Sequence, residues 1–562
     1  MNAPSKCPAL AELRKNYVAP SQAKAAIRSA VKRTQRDAPL VVINTKTGCL
    51  CDQRQRMDEF EADPNFVELA ASMTTILDHS HIRGVVREYF RYATFSHTWE
   101  GAEPLFHDVL HGSVHKLAES STVLKLVMFC AMVREAGFHW AWCDTCCINK
   151  SDGSVLQESL TSMFQWYHDS SLTVIHLKGV MSDSEVGALE RSFWNTRAWT
   201  LQEFFASRVI RFYTEDWKPY LPDEKVYNHK ESSVIMAEMA RATGTDVDVL
   251  LSLRPGSDNV RQKLCLAATR VATKQEDMAY SLFGIFDVSL SVTYGEGQQR
   301  AVGRLLQEVL TRSGDVSILA WTGKASDYNS CLPAEISVYR EPASPYVPSP
   351  IEDDKMDGLV TELQTSSNTV DSAMMLYDRV VVLPSPRLVS HRLSLSCIMF
   401  PLRGLLVASG NSPQHVYHTR TFALGTVEIK TTEDLASLDN LVLVHPWLRC
   451  LLDPALPFVD DAELFPVDGN GGDGDSDAPF SDPSSPSSYT ASFPHHVPQL
   501  DKPTTALRLF ARLRQPFGAL LLVRLSHDEY KRVASDHPIV VQLLKGISPR
   551  YLAQKIQILD IL

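Results

Sequence analysis

The chain has 562 residues and a formal net charge of −11, with 44% hydrophobic and 22% charged residues. This composition is typical of soluble globular proteins, and the length suffices for roughly three to four domains of about 150 residues. No apolar run reaches the ~18 residues of a membrane span, and the N-terminus lacks the apolar core of a signal peptide. Without such a run, no membrane partner is expected. The 11 thinly spread cysteines predict reduced thiols in a cytoplasmic protein.

Charge is unevenly distributed along the chain. Between Arg449 and Lys502 there is no Lys or Arg but ten Asp and Glu, and the remainder is close to neutral. No basic surface for nucleic acid is therefore expected. Residues 1–36 carry eight Lys and Arg against Glu12 alone. This pattern predicts a basic N-terminal arm (1–37), either loose or as a solvated helix, with a transit peptide as the alternative.

The first predicted elements form a lead-in over residues 38–85. Residues 40–52 hold an apolar run, a polar turn with Gly48 and a second short strand, which predicts a hairpin. Residues 55–90 carry a mostly helical pattern that Pro64 interrupts.

Strand and helix patterns then alternate over residues 86–215. Strands are predicted at 89–95, 139–143, 172–177 and 209–213, with helices at 122–136, 156–168 and around 197–204. Such alternation predicts a parallel sheet with helices on both faces, where ligands bind at the carboxyl ends of the strands. The residues just past two of those ends are Ser96-His-Thr-Trp-Glu100 and Asp144-Thr-Cys-Cys147. Their polar, aromatic and thiol side chains suit the lining of a cleft.

The rest of the chain divides into a helical region (216–325) and a β-rich C-terminal domain (326–562). The clearest helices are predicted at 275–286 and 298–312. Strands are predicted at 380–383, 393–400, 404–407, 421–429, 519–524 and 539–543. Residues 460–503 are rich in Asp, Gly, Ser and Pro, which predicts a disordered acidic loop.

The stretch Arg197-Ala-Trp-Thr-Leu-Gln-Glu-Phe204 carries the main candidate for chemistry. It has no Gly or Pro and is predicted to be helical, so Trp199 and Glu203, four residues apart, share one face. A carboxylate beside an indole is partly desolvated. Glu203 is then either a chemical group or a structural residue that pairs with an Arg beside a core Trp199.

Other motifs are weaker, and no metal site is predicted. His107, His111 and His115 have the spacing of one helix face, but Gly112 weakens that helix. The run Cys143 to Cys147 contains one C-x-x-C without a second pair, which favours small buried residues. Tyr294-Gly-Glu-Gly297 predicts a tight turn rather than a phosphate loop, because Glu296 would repel phosphate. No P-loop or nucleophile-elbow motif occurs.

Three ordered blocks resemble the signature blocks of the fungal heterokaryon incompatibility (HET) domain. They are Tyr92-Ala-Thr-Phe-Ser-His-Thr-Trp99, Trp140-Ala-Trp-Cys-Asp-Thr-Cys-Cys-Ile-Asn149 and Arg197-Ala-Trp-Thr-Leu-Gln-Glu203. Residues 276–286, 294–297 and 326–339 look like segments that follow this domain in fungal proteins, so the resemblance covers roughly 40–340. The first block departs from the family at Glu100, where a Gly often follows the Trp. The C-terminal region resembles no family that we recognise.

The resemblance implies a protein of self/non-self recognition that triggers growth arrest or cell death through assembly with other protein chains. It also implies a TIR-like, flavodoxin-like α/β fold for residues 86–215. Plant TIR domains split NAD with a Glu that follows a Trp by four residues, as Glu203 follows Trp199. By that analogy Glu203 is a candidate catalytic residue, and Ser96, Trp99, Asp144 and Trp199 are candidates for the cleft lining. NAD would be the substrate, and no cofactor is required.

Overall fold

A computed structural model of the chain describes residues 17–221, 226–340, 351–365, 367–408, 415–448, 451–452 and 501–562. The chain forms two compact units. The first comprises Met1–Leu305 with Glu335–Arg340, and the second comprises Leu306–Ala334 with Glu341–Leu562. Within the described ranges, no helix combines the length and the apolar character that a bilayer crossing needs.

The first unit is built around one sheet and its flanking helices. Its strands are β1 (Val41–Asn44), β2 (Leu50–Asp52), β3 (Tyr92–His97), β4 (Trp140–Cys143), β5 (Leu172–Leu177) and β6 (Ile210–Thr214). Its helices up to β6 are α1 (Pro20–Gln35), α2 (Gln53–Ala62), α3 (Pro64–Ser72), α4 (His79–Phe90), α5 (Phe106–Val109), α6 (Ser121–Glu135), α7 (Gly153–Asp169) and α8 (Ala198–Ala206).

The six strands lie in the order β2-β1-β4-β3-β5-β6. The last four in this order are mutually parallel. The predicted hairpin is present, and its first strand adds antiparallel to β4. The unit is therefore mixed α/β, with a parallel group of four strands extended by a hairpin that the sequence placed outside the sheet.

Helices cover both faces of the parallel strands. Phe95 of β3 stacks on Phe129 of α6 on one face. Trp142 of β4, which alternation points to the other face, contacts Trp166 and Tyr167 of α7. All residues of β3, β4 and β5 are buried, which explains their near-continuous apolar runs.

Two features of this unit differ most from the sequence prediction. Strand β3 begins at Tyr92 rather than at residue 89, because Tyr89 and Phe90 end α4 and pack against Phe60. Residues 20–35 are not a loose arm: α1 buries Ile27 and its apolar neighbours in the same core as the sheet. Residues 1–16 lie outside the described residues.

Five further helices follow β6: α9 (Ser233–Thr243), α10 (Val247–Ser252), α11 (Val260–Ala267), α12 (Asp277–Tyr280) and α13 (Gln298–Ser313). These helices lie in the region that the sequence predicts to be helical. The helix expected at 275–286 is shorter, because the chain turns after Tyr280 and buries Phe283 and Phe286 from irregular backbone.

Within its described residues, the second unit combines strands with four complete helices and the end of α13. The strands are β7 (Arg387–Val389), β8 (Arg392–Pro401), β9 (Arg403–Ala408), β10 (His415–Thr421), β11 (Gly425–Thr431), β12 (Leu441–Pro446), β13 (Phe517–Arg524), β14 (Glu529–Val533), β15 (Ile539–Val541) and β16 (Ile556–Ile561). The helices are α14 (Asp353–Gln364), α15 (Ser367–Val380), α16 (Lys502–Leu513) and α17 (Pro549–Lys555). Strands β9, β10 and β11 form a small sheet, and the other seven form a larger one.

The β-rich character of this unit is confirmed, with three differences in detail. Residues 380–383 are not a strand, because Val380 ends α15. The strand expected at 421–429 is split by the turn between β10 and β11. The predicted acidic loop at 460–503 lies outside the described residues up to position 500, and Asp501 caps the start of α16.

Candidate functional site

The candidate site lies at the carboxyl edge of the parallel strands. Phe95 of β3 pairs with Cys143 of β4, so the residues that follow them meet at one edge of the sheet. Helix α8 packs against β3 and brings Glu203 to the same edge. Three sequence-distant stretches thus converge, as the alternating pattern predicts.

A chain of hydrogen bonds joins Trp194, Ser96 and Glu203. Trp194 Nε1 donates to Ser96 Oγ at 2.8 Å, and Ser96 Oγ donates to Glu203 Oε2 at 2.5 Å. An indole N–H can only donate, so Ser96 must accept from it and turns its own proton toward the carboxylate. The tryptophan therefore fixes the direction of the bond that reaches Glu203.

Glu203 is held in an unusual electrostatic environment. The residue is only 7% exposed. Burial and the nearby charge of Asp144 raise the pKa of Glu203 to about 8, against the opposing effects of Ser96 and Arg270. The carboxyl group is therefore mostly protonated at neutral pH in the free protein, and it ionises when a positive charge comes close.

Trp99, Asp144 and Lys150 form the outer part of the edge. Trp99 is 47% exposed, and its Nε1 donates to Asp144 Oδ2 at 3.1 Å. Lys150 Nζ lies 3.7 Å from the centroid of the Trp99 ring, which is cation–π geometry. Burial lowers the pKa of Lys150, and Asp144 opposes that effect. This arrangement offers a charged and aromatic surface to a ligand.

Trp199 takes part in packing. It is partly buried against the main core of the first unit. Burial raises the pKa of the neighbouring Asp277, and hydrogen bonds from Trp199 and Tyr294 oppose that rise. The structure thus joins Ser96 with Glu203 and Trp99 with Asp144, whereas Trp199 contacts a different part of the unit.

Arg270 holds the start of α8 in place. Its Nη1 donates at 2.8 Å both to the carbonyl of Arg197 and to Thr200 Oγ1. The charge of Arg270 also favours ionised Glu203, although burial lowers the pKa of Arg270 itself to about 9. No sequence pattern indicates this contact, because Arg270 comes from a turn far along the chain.

A buried charge network lies behind the edge. Lys125 Nζ donates to Glu103 Oε1 at 2.8 Å, to Glu100 Oε1 at 3.1 Å and to the Thr98 carbonyl at 3.2 Å. Burial would raise the pKa of Glu103, but His97 and Lys125 outweigh it and bring the pKa to about 2. Glu100, which stands where the family often has Gly, is thus tied into an ion-pair network that shapes this loop.

Sequence reasoning missed the role of His97 in this region. His97, Cys143 and Asp144 each place one potential ligand atom so that all three atoms lie within 4.8 Å of one another. The strand register could have revealed this approach. Because Phe95 pairs with Cys143, His97 lies two residues farther along the neighbouring strand and on the same face of the sheet.

The histidine row does not form one helix face. Helix α5 ends at Val109, and His115 belongs to a separate 3-10 turn at Val114–Lys116. His107 Nε2 is within 3.0 Å of Ser151 Oγ. The weak helix expected from Gly112 therefore breaks, and the predicted row is wrong.

The glycines after Tyr294 serve a turn. Gly295 and Gly297 have φ angles of +94° and +83°, which favour glycine. Their backbone amides donate to Glu276 Oε1 at 3.0 and 3.1 Å. An internal carboxylate thus binds the amides that a phosphate would need, which supports the tight-turn interpretation.

Comparison with known proteins connects this site to one family. Residues 92–192 match the family model described as heterokaryon incompatibility protein (HET). The chain is also 33% identical over 248 residues to the Vegetative incompatibility protein HET-E-1 of Podospora anserina. That alignment covers 42% of this chain and 17% of the relative. No solved structure matches. The chain therefore contains a HET domain, and the matched segment begins with the strand that carries Ser96.

Proposed function

We propose that this protein acts in the cytoplasm in heterokaryon incompatibility, and that its HET domain signals cell death by assembling with further copies of itself. Its similarity to a vegetative incompatibility protein supports the biological role. The nine cysteines within the described residues are all free thiols, which suits a reducing compartment. The observation that carries the assembly mechanism is an apolar outer face on α6.

Helix α6 is apolar on both sides. Its inner side buries Leu126, Phe129 and Val133 in the core. On its outer side, Leu124 is 60% exposed and Met128 is 38% exposed. A helix that is apolar all round is normally buried. Here one chain covers only one side, so we infer that a second copy covers the other.

The outer face suits two-fold antiparallel pairing. Leu124, Val127, Met128 and Ala131 follow the i, i+3, i+4, i+7 spacing of one helix face. In an antiparallel pair, Leu124 of one copy faces the small Ala131 of the other, and Val127 faces Met128. The same register sets Glu135 against the N-terminus of the other helix, where the helix dipole favours a negative charge.

Substitution of Leu124 by Lys tests this assembly. We expect Leu124→Lys to be monomeric in sedimentation velocity at concentrations where the wild type associates, and to stop killing fungal cells that express it. Ile76→Lys is the matched control, because Ile76 is also exposed but lies outside α6. The mechanism is wrong if Leu124→Lys associates and kills like the wild type.

We also propose that the four parallel strands and their helices adopt a TIR-like, flavodoxin-like fold. When the parallel strands are renumbered in chain order, β3, β4, β5 and β6 become 1, 2, 3 and 4. Across the sheet from β4 to β6, their order is then 2-1-3-4. The flavodoxin-like order begins in the same way, and it places ligands at the carboxyl edge where Glu203 lies. This fold supports a second candidate function at that edge.

The second candidate function is hydrolysis of NAD⁺ to nicotinamide and ADP-ribose. The buried Glu203, oriented by Ser96 next to Asp144 and Trp99, favours it. In this reaction the bond from the ribose carbon to nicotinamide breaks, and nicotinamide leaves as a neutral molecule with the bonding electrons. Water adds to the ribose carbon and releases one proton.

Glu203 would act through its charge. The cationic nicotinamide ring, and then the positive charge that develops on the ribose, favour the ionised carboxylate despite its raised pKa. A preorganised carboxylate in a site with little water stabilises that charge strongly. Trp99 would stack on a flat base, and Asp144 would orient hydroxyl groups.

Two variants of Glu203 separate the two candidate functions. If the protein hydrolyses NAD⁺, chromatography shows nicotinamide release by wild type and loss of at least ~100-fold in Glu203→Ala and Glu203→Gln. Glu238→Gln is the control, since this buried carboxylate accepts a hydrogen bond from Tyr220 elsewhere in the unit. If clustered wild-type protein leaves NAD⁺ intact while it kills cells, assembly alone is the mechanism.

A further inference from the structure

We propose that His97, Cys143 and Asp144 bind a zinc ion at the carboxyl edge of the sheet. One ligand atom from each residue lies within 4.8 Å of the other two, and this is the one such group of three found among the described residues. The proposal depends neither on assembly through α6 nor on NAD⁺ hydrolysis, because His97 and Cys143 have no part in either and only Asp144 also lies in the proposed NAD⁺ cleft.

The backbone holds two of the three ligands rigidly. His97 is the last residue of β3 and Cys143 is the last residue of β4. These strands are parallel neighbours in the middle of the sheet, and their register turns both side chains to the same face. Asp144 follows Cys143 directly. A site on strand ends is better positioned than one on a loop.

The His97 ring is buried without the partners it needs. Its side chain is 1% exposed, and neither ring nitrogen has a hydrogen-bond partner within the part of the chain that the structure describes. Nε2 faces Glu103 Oε2 at 3.7 Å. A zinc-bound histidine commonly turns its second nitrogen toward a carboxylate in this way. Nδ1 is then the nitrogen available to the ion.

The ligand types and distances suit zinc. Imidazole nitrogen, thiolate sulfur and carboxylate oxygen are all zinc ligands. An ion at the centre of a triangle with sides of 4.8 Å lies about 2.8 Å from each corner. Zinc bonds are about 0.5–0.8 Å shorter, a difference that small side-chain rotations close. The thiolate and the carboxylate would neutralise the charge of the ion.

The surroundings of Asp144, the third ligand, orient its carboxylate and leave it accessible to an ion from solvent. Trp99 Nε1 donates to Asp144 Oδ2 at 3.1 Å and orients the carboxylate. Asp144 is partly exposed, so an ion can reach it from solvent. Three protein ligands leave the fourth zinc position for water. Lys150 is the competing cation, since its charge interacts with Asp144.

Metal binding to the full chain tests the proposal. The protein is stripped with a chelator, and zinc binding is measured by competition with a chromogenic chelator. We expect one zinc ion per chain, and about 100-fold weaker binding in His97→Asn, Cys143→Ser and Asp144→Asn. Lys150→Met should bind zinc more tightly. Cobalt in place of zinc should give a thiolate charge-transfer band that Cys143→Ser lacks.

Matched controls keep the test decisive. His176→Asn replaces the buried histidine that pairs with His97 on β5, and Cys146→Ala replaces a neighbouring buried thiol. Both should bind zinc like the wild type. Because Asp144 is partly exposed, Asp144→Asn should fold, and it keeps the assay usable if a variant in a strand does not fold. Absence of zinc binding, absence of the cobalt band in the wild type, or equal loss in Cys146→Ala would each overturn the proposal.

Discussion

Replacing Glu203 with Gln should change how the stability of the first unit depends on pH. The pKa of Glu203 is about 8 in the folded protein, against 4.5 for an unperturbed Glu. The folded chain therefore keeps a proton that the unfolded chain releases. Stability from such a raised pKa is fully present below the unfolded pKa and is lost as the pH rises toward the folded pKa.

The window from pH 6.5 to 8 isolates this effect. In the wild type, Glu203 should cost about 1 to 2 kcal/mol of unfolding free energy across that window. Other buried groups act elsewhere: burial lowers the pKa of His176 and of His229 to about 4, so they act mainly below pH 6.5. Burial lowers the pKa of Lys230 to about 8, so it acts above that pH. The glutamine side chain does not ionise in this window. The unfolding free energy of Glu203→Gln should therefore fall less with pH than that of the wild type, by the same amount.

Urea unfolding followed by tryptophan fluorescence measures the difference. Seven of the nine tryptophans lie between residues 99 and 217, so the signal reports the first unit. Ser96→Ala is the control: it keeps Glu203 and removes a hydrogen bond that lowers its pKa, so the pH dependence should persist and extend to higher pH. Parallel pH profiles for wild type and Glu203→Gln would refute the reasoning.

Three further substitutions test the packing within the two units. Lys125→Met leaves the buried Glu103 carboxylate without its cation and should lower stability by about 3–5 kcal/mol. The melting temperature should therefore fall. The double variant that combines Lys125→Met with Glu103→Gln should recover part of that loss. Gly284→Ala puts a Cβ into steric overlap with the Phe164 side chain and should cost about 1–3 kcal/mol in urea unfolding. Gly303→Ala is the control and should cost none, because a Cβ there meets no atom beyond its chain neighbours and the nearby backbone of its own helix. Arg532→Met removes the hydrogen-bond donors to the carbonyls of Leu319, Trp321 and Cys331. Calorimetry should show that this variant destabilises the second unit of the chain by roughly 3 kcal/mol. Unchanged stability in any of the three would contradict the contact concerned.

The parallel strands could be predicted because they are short apolar runs between turn signals. The prediction for residues 172–177 matches β5 at both ends. The pattern wrongly predicts a strand at residues 89–91, because aromatic residues suit a strand and a buried helix face equally well. Tyr89 and Phe90 instead belong to α4, where both contact Phe60 of another helix. Such tertiary contacts are not visible in local pattern.

The candidate site was predictable only in part. Strand ends and a family resemblance pointed to Ser96, Asp144 and Glu203. Trp194 and Arg270 come from a short 3-10 turn and a connecting turn, whose sequences carry no periodic signal. The raised pKa of Glu203 depends on burial and on distances to charges in other elements, which only the folded chain sets.

The hairpin that joins β4 has a practical consequence for work on fragments. The family match covers residues 92–192, yet β1 pairs with β4 and α1 fills part of the same core. A fragment that begins at Tyr92 would expose an unpaired edge of β4, which invites aggregation. One that ends at residue 192 would also lack α8 and β6. Sequence similarity here marks a shorter stretch than the sheet and core to which it belongs.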